Sequence, residues 1–471
     1  MNHTSVPREN SLPSRRNFLK SASALGAGLM VAPSYVVGQS KDQLAPSQRI
    51  NVAIVGVGGK GFSAVKALEN ENIVALCDVQ LGVENLRAYF KKPDKSYLLA
   101  VLEAEKKGAV WFQDYREMLV TMGDKIDAVV ISTPDHMHYP IAMSAINHGK
   151  HVYVEKPLTH TVGEARELTR AAVAAGVISA MGNQGHSNSG TRSVREWLQA
   201  GLIGKVREVH SWTNRPIWPQ GQGLPDFSGA QPPVPDRFDW DLWLGVADPR
   251  PFHSDYAPFN WRAYFDFGSG AFGDMACHIM EAAYWGLDLG YPDWIAPTSS
   301  SRISECCYPA ASQVTYHFPA RGEMPEVTYN WYDGGLLPPQ PAILPADEVP
   351  SMNNGTFIIG EEAVLIVDTY GSSIRIAPRK TFIDLRSSIP EKSIRRIKDE
   401  HHVEFVNAIR ENRPASSSFD YSGPFTEMVQ LGNIAVRAQR RLEFDSTAMQ
   451  FTNVQEANQL LSKSYPQGWI I

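Results

Sequence analysis

Gly56-Val-Gly58-Gly-Lys-Gly61 directly follows the apolar run Ile50–Val55 and opens a helical stretch reaching about Asn70. The first glycine permits a tight turn, and the second lets the backbone approach a pyrophosphate. The third allows the helix to pack close to the strand, and the helix N-terminus favours negative charge. A second apolar run, Ile73–Cys77, ends at Asp78, seventeen residues after Gly61. A carboxylate there accepts both ribose hydroxyls and repels a 2′-phosphate, which favours NAD over NADP. Such a unit requires a parallel sheet with helices on its faces.

The alternation continues downstream. Ala128–Ser132 and Val152–Val154 read as strands, Val162–Ala175 as a helix and Val177–Met181 as another strand. The Lys-rich stretch 81–108 reads as a helical insertion. Near residue 186 the character changes: Thr191–Ala200 reads as a helix and Val206–Trp212 as a strand, before a Pro-, Gly- and Trp-rich stretch over about 213–260. Irregular segments that long are usually functional or disordered. Their aromatics argue for an ordered pocket wall, with most of the rings expected simply to pack on the outside of a sheet. Gln313–Phe318, Val327–Trp331 and Ala363–Val367 alternate as an open antiparallel sheet requires, and helices are expected over 402–412 and 424–441. The fold expected is α/β: a doubly wound Rossmann domain over 41–185, then an α/β domain over 186–471 with a large open, mostly antiparallel sheet.

Two further clusters carry chemistry. Glu155-Lys156-Pro157 ends the run His151–Val154, so an ammonium reaches the carboxyl edge of the sheet, where open α/β sheets bind their ligands. Asp274 and His278 follow the glycine-rich turn Gly268-Ser-Gly-Ala-Phe-Gly at i and i+4. On a helix they share a face, and the carboxylate is expected to hold the imidazole in one tautomer. Alone, such a pair is more often an exposed helix pair; beside a dinucleotide turn and Lys156 it reads as catalysis. An oriented neutral imidazole takes a hydroxyl proton while hydride leaves the same carbon for a nicotinamide. Lys156 supplies positive charge where an alkoxide develops and shares the proton transfer. Thr133-Pro134-Asp135-His136-Met137-His138 closes the Ala128–Ser132 strand; no further ligands lie nearby, so no metal is expected.

Together Gly56/Gly58/Gly61, Thr133-Pro134 with His138, Glu155-Lys156-Pro157 and Asp274-x-x-x-His278 resemble the glucose–fructose oxidoreductase/inositol dehydrogenase (Gfo/Idh/MocA) family over residues 48–445. The resemblance implies an NAD(P) cofactor, a carbohydrate or polyol substrate, and a dimer or tetramer formed through the open sheet. It makes Lys156 and His278 the proton-handling pair with Asp274 in support. It places Thr133, His138, Glu155 and Asn183 on the nicotinamide half of the cofactor, and Trp261-Arg262 against the cofactor as well.

Ser14-Arg15-Arg16-Asn17-Phe18-Leu19-Lys20 is a twin-arginine sequence followed by a mildly apolar stretch, Ala22–Val37. Residues 1–40 are therefore expected to engage the twin-arginine export machinery, which carries folded, cofactor-loaded proteins, and to place the chain in the periplasm. No nicotinamide pool is expected there, so NAD should be held tightly and recycled. Removing the segment takes away four basic groups and one acid, moving the formal charge from −6 to −9. No basic stripe argues for nucleic acid. Cys77, Cys277, Cys306 and Cys307 form neither a zinc spacing nor a disulfide framework, and nothing requires Cys306 and Cys307 to pair.

The leading expectation is an oxidoreductase acting on a sugar, glycoside or polyol hydroxyl. The alternative is an NAD-dependent glycoside hydrolase that oxidises, eliminates, adds water and reduces again. A non-catalytic sugar sensor would normally have lost Lys156 or His278.

Overall fold

The computed structural model describes residues 45–83, 95–229, 232–301 and 304–469. The chain divides into two units, Met1–Arg49 and Ile50–Ile471. The described part of the first holds a 3-10 turn, Pro46–Gln48; the export sequence over residues 1–40 lies outside the described residues.

In the second unit, β1 (Asn51–Val55), β2 (Asn72–Cys77), β3 (Val110–Phe112), β4 (Ala128–Ile131), β5 (His151–Glu155) and β6 (Ser179–Gly182) form a wholly parallel sheet in the order β3-β2-β1-β4-β5-β6. Val52, Ala53, Ile54, Val129, Val130 and Val152 are fully buried, as a sheet covered on both faces demands. Register sets Val55 beside both Cys77 and Ile131, and Ile131 beside Val154. These strands therefore finish level, and Gly56, Asp78, Thr133 and Lys156 emerge along one edge. The order reverses between β1 and β4, which opens the crevice where such sheets bind ligands. The three-residue β3 is too short for periodicity to reveal. Within the stretch 81–108 a helix runs over Lys95–Lys106, and residues 84–94 lie outside the described residues.

A second sheet has nine strands. Here β7 (Val206–Trp212), β8 (Trp294–Ser301), β9 (Ala311–Phe318), β10 (Val327–Tyr332), β11 (Gly355–Gly360), β12 (Val364–Val367), β13 (Ile374–Ala377), β14 (Leu442–Asp445) and β15 (Gln450–Phe451) stand in the order β13-β12-β11-β7-β10-β9-β8-β14-β15. β7 and β10 run parallel and the other neighbours antiparallel. Along β9, Ser312, Val314, Tyr316 and Phe318 are buried while Gln313, Thr315 and His317 are half-buried, the alternation read from the sequence. The helices Gly270–Ile279 and Phe419–Ala438 pack on the buried face, where Tyr316 donates to the Met428 carbonyl at 3.2 Å. The longer helix also meets the helix Val162–Ala175 through a buried Arg166–Glu427 ion pair of 2.5 Å, and so joins the two sheets.

The rings of the Trp-rich stretch do not mostly pack on the outside of a sheet. Trp240 and Trp243 stack on each other at 4.7 Å, and Trp240 meets Phe252 edge-on at 5.2 Å. With Trp218, Tyr256, Trp261 and Phe267 they build a small core of their own. A sheet face accepts every second residue of a strand, and the aromatics here lack that period. Trp212 is the exception, since it belongs to β7 and packs on Phe357 of β11.

Candidate active site

The glycine turn after β1 shows why each glycine is needed. Gly56 has φ +81°, and a Cβ there would lie 2.7 Å from the Ser132 carbonyl carbon; a Cβ at Gly61 would lie 1.8 Å from the Gly56 carbonyl oxygen. The first glycine thus allows β1 and the loop after β4 to touch, and the third seats the helix Gly61–Ala67 on the turn. Gly56 and Gly58 line a cavity of about 540 Å³, within the range of small-molecule sites, whereas Gly61 only packs.

Asp78, at the end of β2, faces the turn. One carboxylate oxygen accepts from the Val57 and Gly58 N–H groups at 2.8 and 3.1 Å, and the other from the Gln80 N–H at 2.9 Å. Burial raises its pKa against the pull of these donors. A carboxylate offers about four acceptor sites, so the turn's own donors leave room for one ribose hydroxyl rather than the two expected from sequence.

At the far end of the cavity, Lys156 donates to the Asp274 carboxylate at 2.6 Å and to the Asp274 carbonyl at 3.0 Å. Burial opposes the ammonium charge, but Asp274 outweighs it and holds the Lys156 pKa above its ordinary value. Burial would likewise raise the Asp274 carboxyl, yet Lys156 and Arg262, whose Nε lies 3.5 Å away, pull it down to about 2. His278 goes the other way. Burial first, then the Lys156 charge, lower its imidazole to about 3.

The i, i+4 spacing holds, but its partnership is corrected. Asp274 pairs with Lys156, while His278 Nδ1 meets the Asn183 amide oxygen at 3.2 Å. An amide oxygen accepts, so Nδ1 carries the hydrogen and Nε2 keeps its lone pair. The reason is electrostatic: a buried carboxylate gains far more from an ammonium than from a neutral imidazole. The arrangement joins a charged donor, Lys156, to an uncharged base, His278, on one cavity wall.

Thr133, Pro134, Glu155, Trp261 and Arg262 line the cavity as expected. Burial would raise the Glu155 carboxyl, but His402, Lys60 and Lys156 together hold it down at about 2. The Arg262 guanidinium lies over the Trp261 ring at 4.2 Å. Two expected cofactor contacts are corrected. Asn183 is fully buried behind His278, off the cavity wall. His138 bridges the carbonyls of Pro157 at 2.8 Å and Thr133 at 2.9 Å, bracing the two loops instead of touching the cavity. Asp135, Gln184, Tyr370 and Trp469 also line it. Of these only Asp135 lay within a motif, and its burial, which raises its pKa despite nearby cations, comes from the fold. Among the described residues no group of three or more His, Cys, Asp or Glu side chains could hold a metal, all four cysteines are free thiols, and no helix is long and apolar enough to cross a membrane.

The residues present fit a nicotinamide dinucleotide. Gly56, Gly58 and Gly59 present bare backbone to the cavity, and the hydroxyls of Ser132 and Thr133 are buried beside it without a protein partner. Gly58, Asp78, Thr133 and Glu155 would hold it, with Lys156 and His278 at its reactive end. Asp78→Ala is expected to weaken NAD binding about tenfold to a hundredfold, since it removes the charged acceptor for a ribose hydroxyl, worth about 1.5–3 kcal/mol, and frees the turn whose Val57 and Gly58 N–H groups it holds. Asp78→Asn keeps an acceptor and removes the charge, so it should chiefly relax discrimination against NADP. Dissociation constants for both nucleotides check this; an unchanged preference would count against the ribose assignment.

Comparison with known proteins agrees with this geometry. The family model described as the oxidoreductase family with NAD-binding Rossmann fold matches residues 50–183, and that family's C-terminal alpha/beta domain matches residues 196–293 and 354–471. Glycosyl hydrolase family 109 protein 1 of Shewanella sp. (strain ANA-3) is 36% identical over 178 residues, covering 34% of this chain and 36% of the relative. The alpha-N-acetylgalactosaminidase of Shewanella oneidensis is 36% identical over 174 residues, covering 33% and 36%. This chain therefore spans about a third of the length of the curated relatives it matches. Among solved structures, the WlbA dehydrogenase from Bordetella pertussis in complex with NADH and UDP-GlcNAcA superposes with a TM-score of 0.54 at 16% identity, over 84% of this chain and 99% of that one. The aldose-aldose oxidoreductase from Caulobacter crescentus gives 0.51 at 15%, over 84% and 100%. At these identities the likeness is one of fold. The two domain models together span most of the residues that build both sheets and the cavity between them, and this chain belongs to the Gfo/Idh/MocA family of NAD-binding oxidoreductases.

Proposed function

We propose that this chain oxidises a hydroxyl-bearing carbon of a sugar, glycoside or polyol, using tightly held NAD. The observation that carries the reading is the pairing, on one cavity wall, of an ammonium fixed by Asp274 with an imidazole kept neutral by burial. The nicotinamide would accept hydride from that carbon. His278 takes the hydroxyl proton through Nε2, and Lys156 stabilises the negative charge that develops on the oxygen. Phe259, Trp261 and Trp243 offer flat apolar walls to a carbohydrate ring. The names of the Shewanella relatives support a second reading, a glycosidase that oxidises and re-reduces within one cycle.

Incubating folded protein with a panel of glycosides and no added cofactor separates the two. Keto-sugar in at most stoichiometric amount, turning over only with an added acceptor, supports the dehydrogenase. Repeated release of aglycone with unoxidised sugar supports the glycosidase. The twin-arginine sequence supports export to the periplasm by the twin-arginine machinery, and the half-buried Gln313, Thr315 and His317 of β9 support assembly into a dimer or tetramer.

A further inference from the structure

The order of the parallel sheet places the residues following β2 and β3 at one end of the cavity and those following β5 at the other. The first end, beside Asp78, is where the adenosine half of a dinucleotide belongs. Its wall includes Gln113, Asp114 and Tyr115, and also Trp469, which comes from far along the chain. Trp469 is half-buried, with its ring 6.4 Å from that of Tyr115. The Arg116 guanidinium lies over the Trp469 ring at 4.2 Å and donates to the Gly468 carbonyl at 3.3 Å. Arg116 is itself fixed by Asp114, to which it donates at 2.6 Å.

The segment leading to Trp469 is tied down too. Glu164 closes the capping box of the helix Val162–Ala175 with one oxygen, accepting from the Thr161 N–H at 3.0 Å. Its other oxygen accepts from the Tyr465 hydroxyl at 2.6 Å and lies 3.1 Å from the Lys463 ammonium. Glu164 thus anchors Lys463 and Tyr465, while Arg116 holds Gly468 and the Trp469 ring at the cavity.

We propose that Trp469 is a cofactor-binding residue: with Tyr115 it walls the adenosine end of the cleft, and the segment Lys463–Trp469 retains the dinucleotide between turnovers. The inference rests on the NAD reading above. It gives that reading a means of retention that the Rossmann turn alone does not provide.

The test is release of isotope-labelled NAD from the full-length protein into excess unlabelled NAD, for wild type, Trp469→Ala and Trp469→Phe. Base–aromatic stacking, judged by alanine substitution, corresponds to release about tenfold to a hundredfold faster for Trp469→Ala. Trp469→Phe should stay within about threefold of wild type, because it keeps an aromatic face. ADP-ribose affinity should fall by the same factor as NAD affinity, while the melting midpoint of the nucleotide-free protein stays unchanged. Equal release from wild type and Trp469→Ala would overturn the proposal, as would equally fast release from both variants. A lowered midpoint of the nucleotide-free variant would assign Trp469 to folding and overturn it as well. Failure of the wild-type protein to take up any labelled NAD would instead sink the dinucleotide reading on which it stands.

Discussion

Replacing Lys156 with alanine is expected to lower kcat/KM by at least about a hundredfold to a thousandfold, the scale of losing one charge-stabilising donor at a reacting oxygen. Lys156 is 15% exposed and paired with Asp274, so it is a preorganised charge that need not be desolvated or reoriented during turnover. Its raised pKa keeps it protonated at neutral pH, which makes it a donor and an electrostatic partner, not the base. The loss should appear in kcat, with the bound NAD content and the circular dichroism spectrum unchanged. Asp274 retains Arg262 at 3.5 Å in the variant, so its charge is not abandoned in the interior. Activity surviving at wild-type level would remove Lys156 from the chemistry.

The second large effect is expected at His278, where asparagine should cost about a hundredfold to ten-thousandfold in kcat, the range for a positioned general base. The wild-type pH profile is equally diagnostic. An unperturbed imidazole titrates near 6.5, but burial and Lys156 hold His278 at about 3. A base with a lowered pKa is competent above that value and fails as pH falls through it. The acid limb of kcat/KM should therefore lie near pH 3, with no histidine inflection at neutral pH. An inflection near 6.5 that vanishes in His278→Asn would show that the site is wetter than its packing implies. A pure KM effect would move His278 from catalysis to substrate binding.

Much of this site was legible because its parts are local in sequence. The glycine turn, the strand ending at Lys156 and the Asp274/His278 spacing each occupy about ten residues, and strand or helix periodicity places each with respect to its own element. The partners were not legible. His278 meets Asn183 across 95 residues and Lys156 meets Asp274 across 118, while Arg116 reaches Gly468 across 352. His138 shows the same limit: its place after β4 was clear, yet only the packing shows both ring nitrogens committed to backbone carbonyls. The Trp-rich stretch had no period to interpret, because its rings pack on one another and not on a sheet.

By itself, then, the sequence determined the parallel sheet, the dinucleotide turn and the residue types that reach its carboxyl edge, because glycine conformations and strand endings are local constraints. The tertiary structure alone decided which carboxylate neutralises which cation, which amide orients the imidazole, and that Trp469 joins the wall of the cavity. Those choices are settled by distance and burial: inside a low-dielectric cavity a charge takes the nearest full opposite charge, and no spacing along the chain encodes where that charge will be.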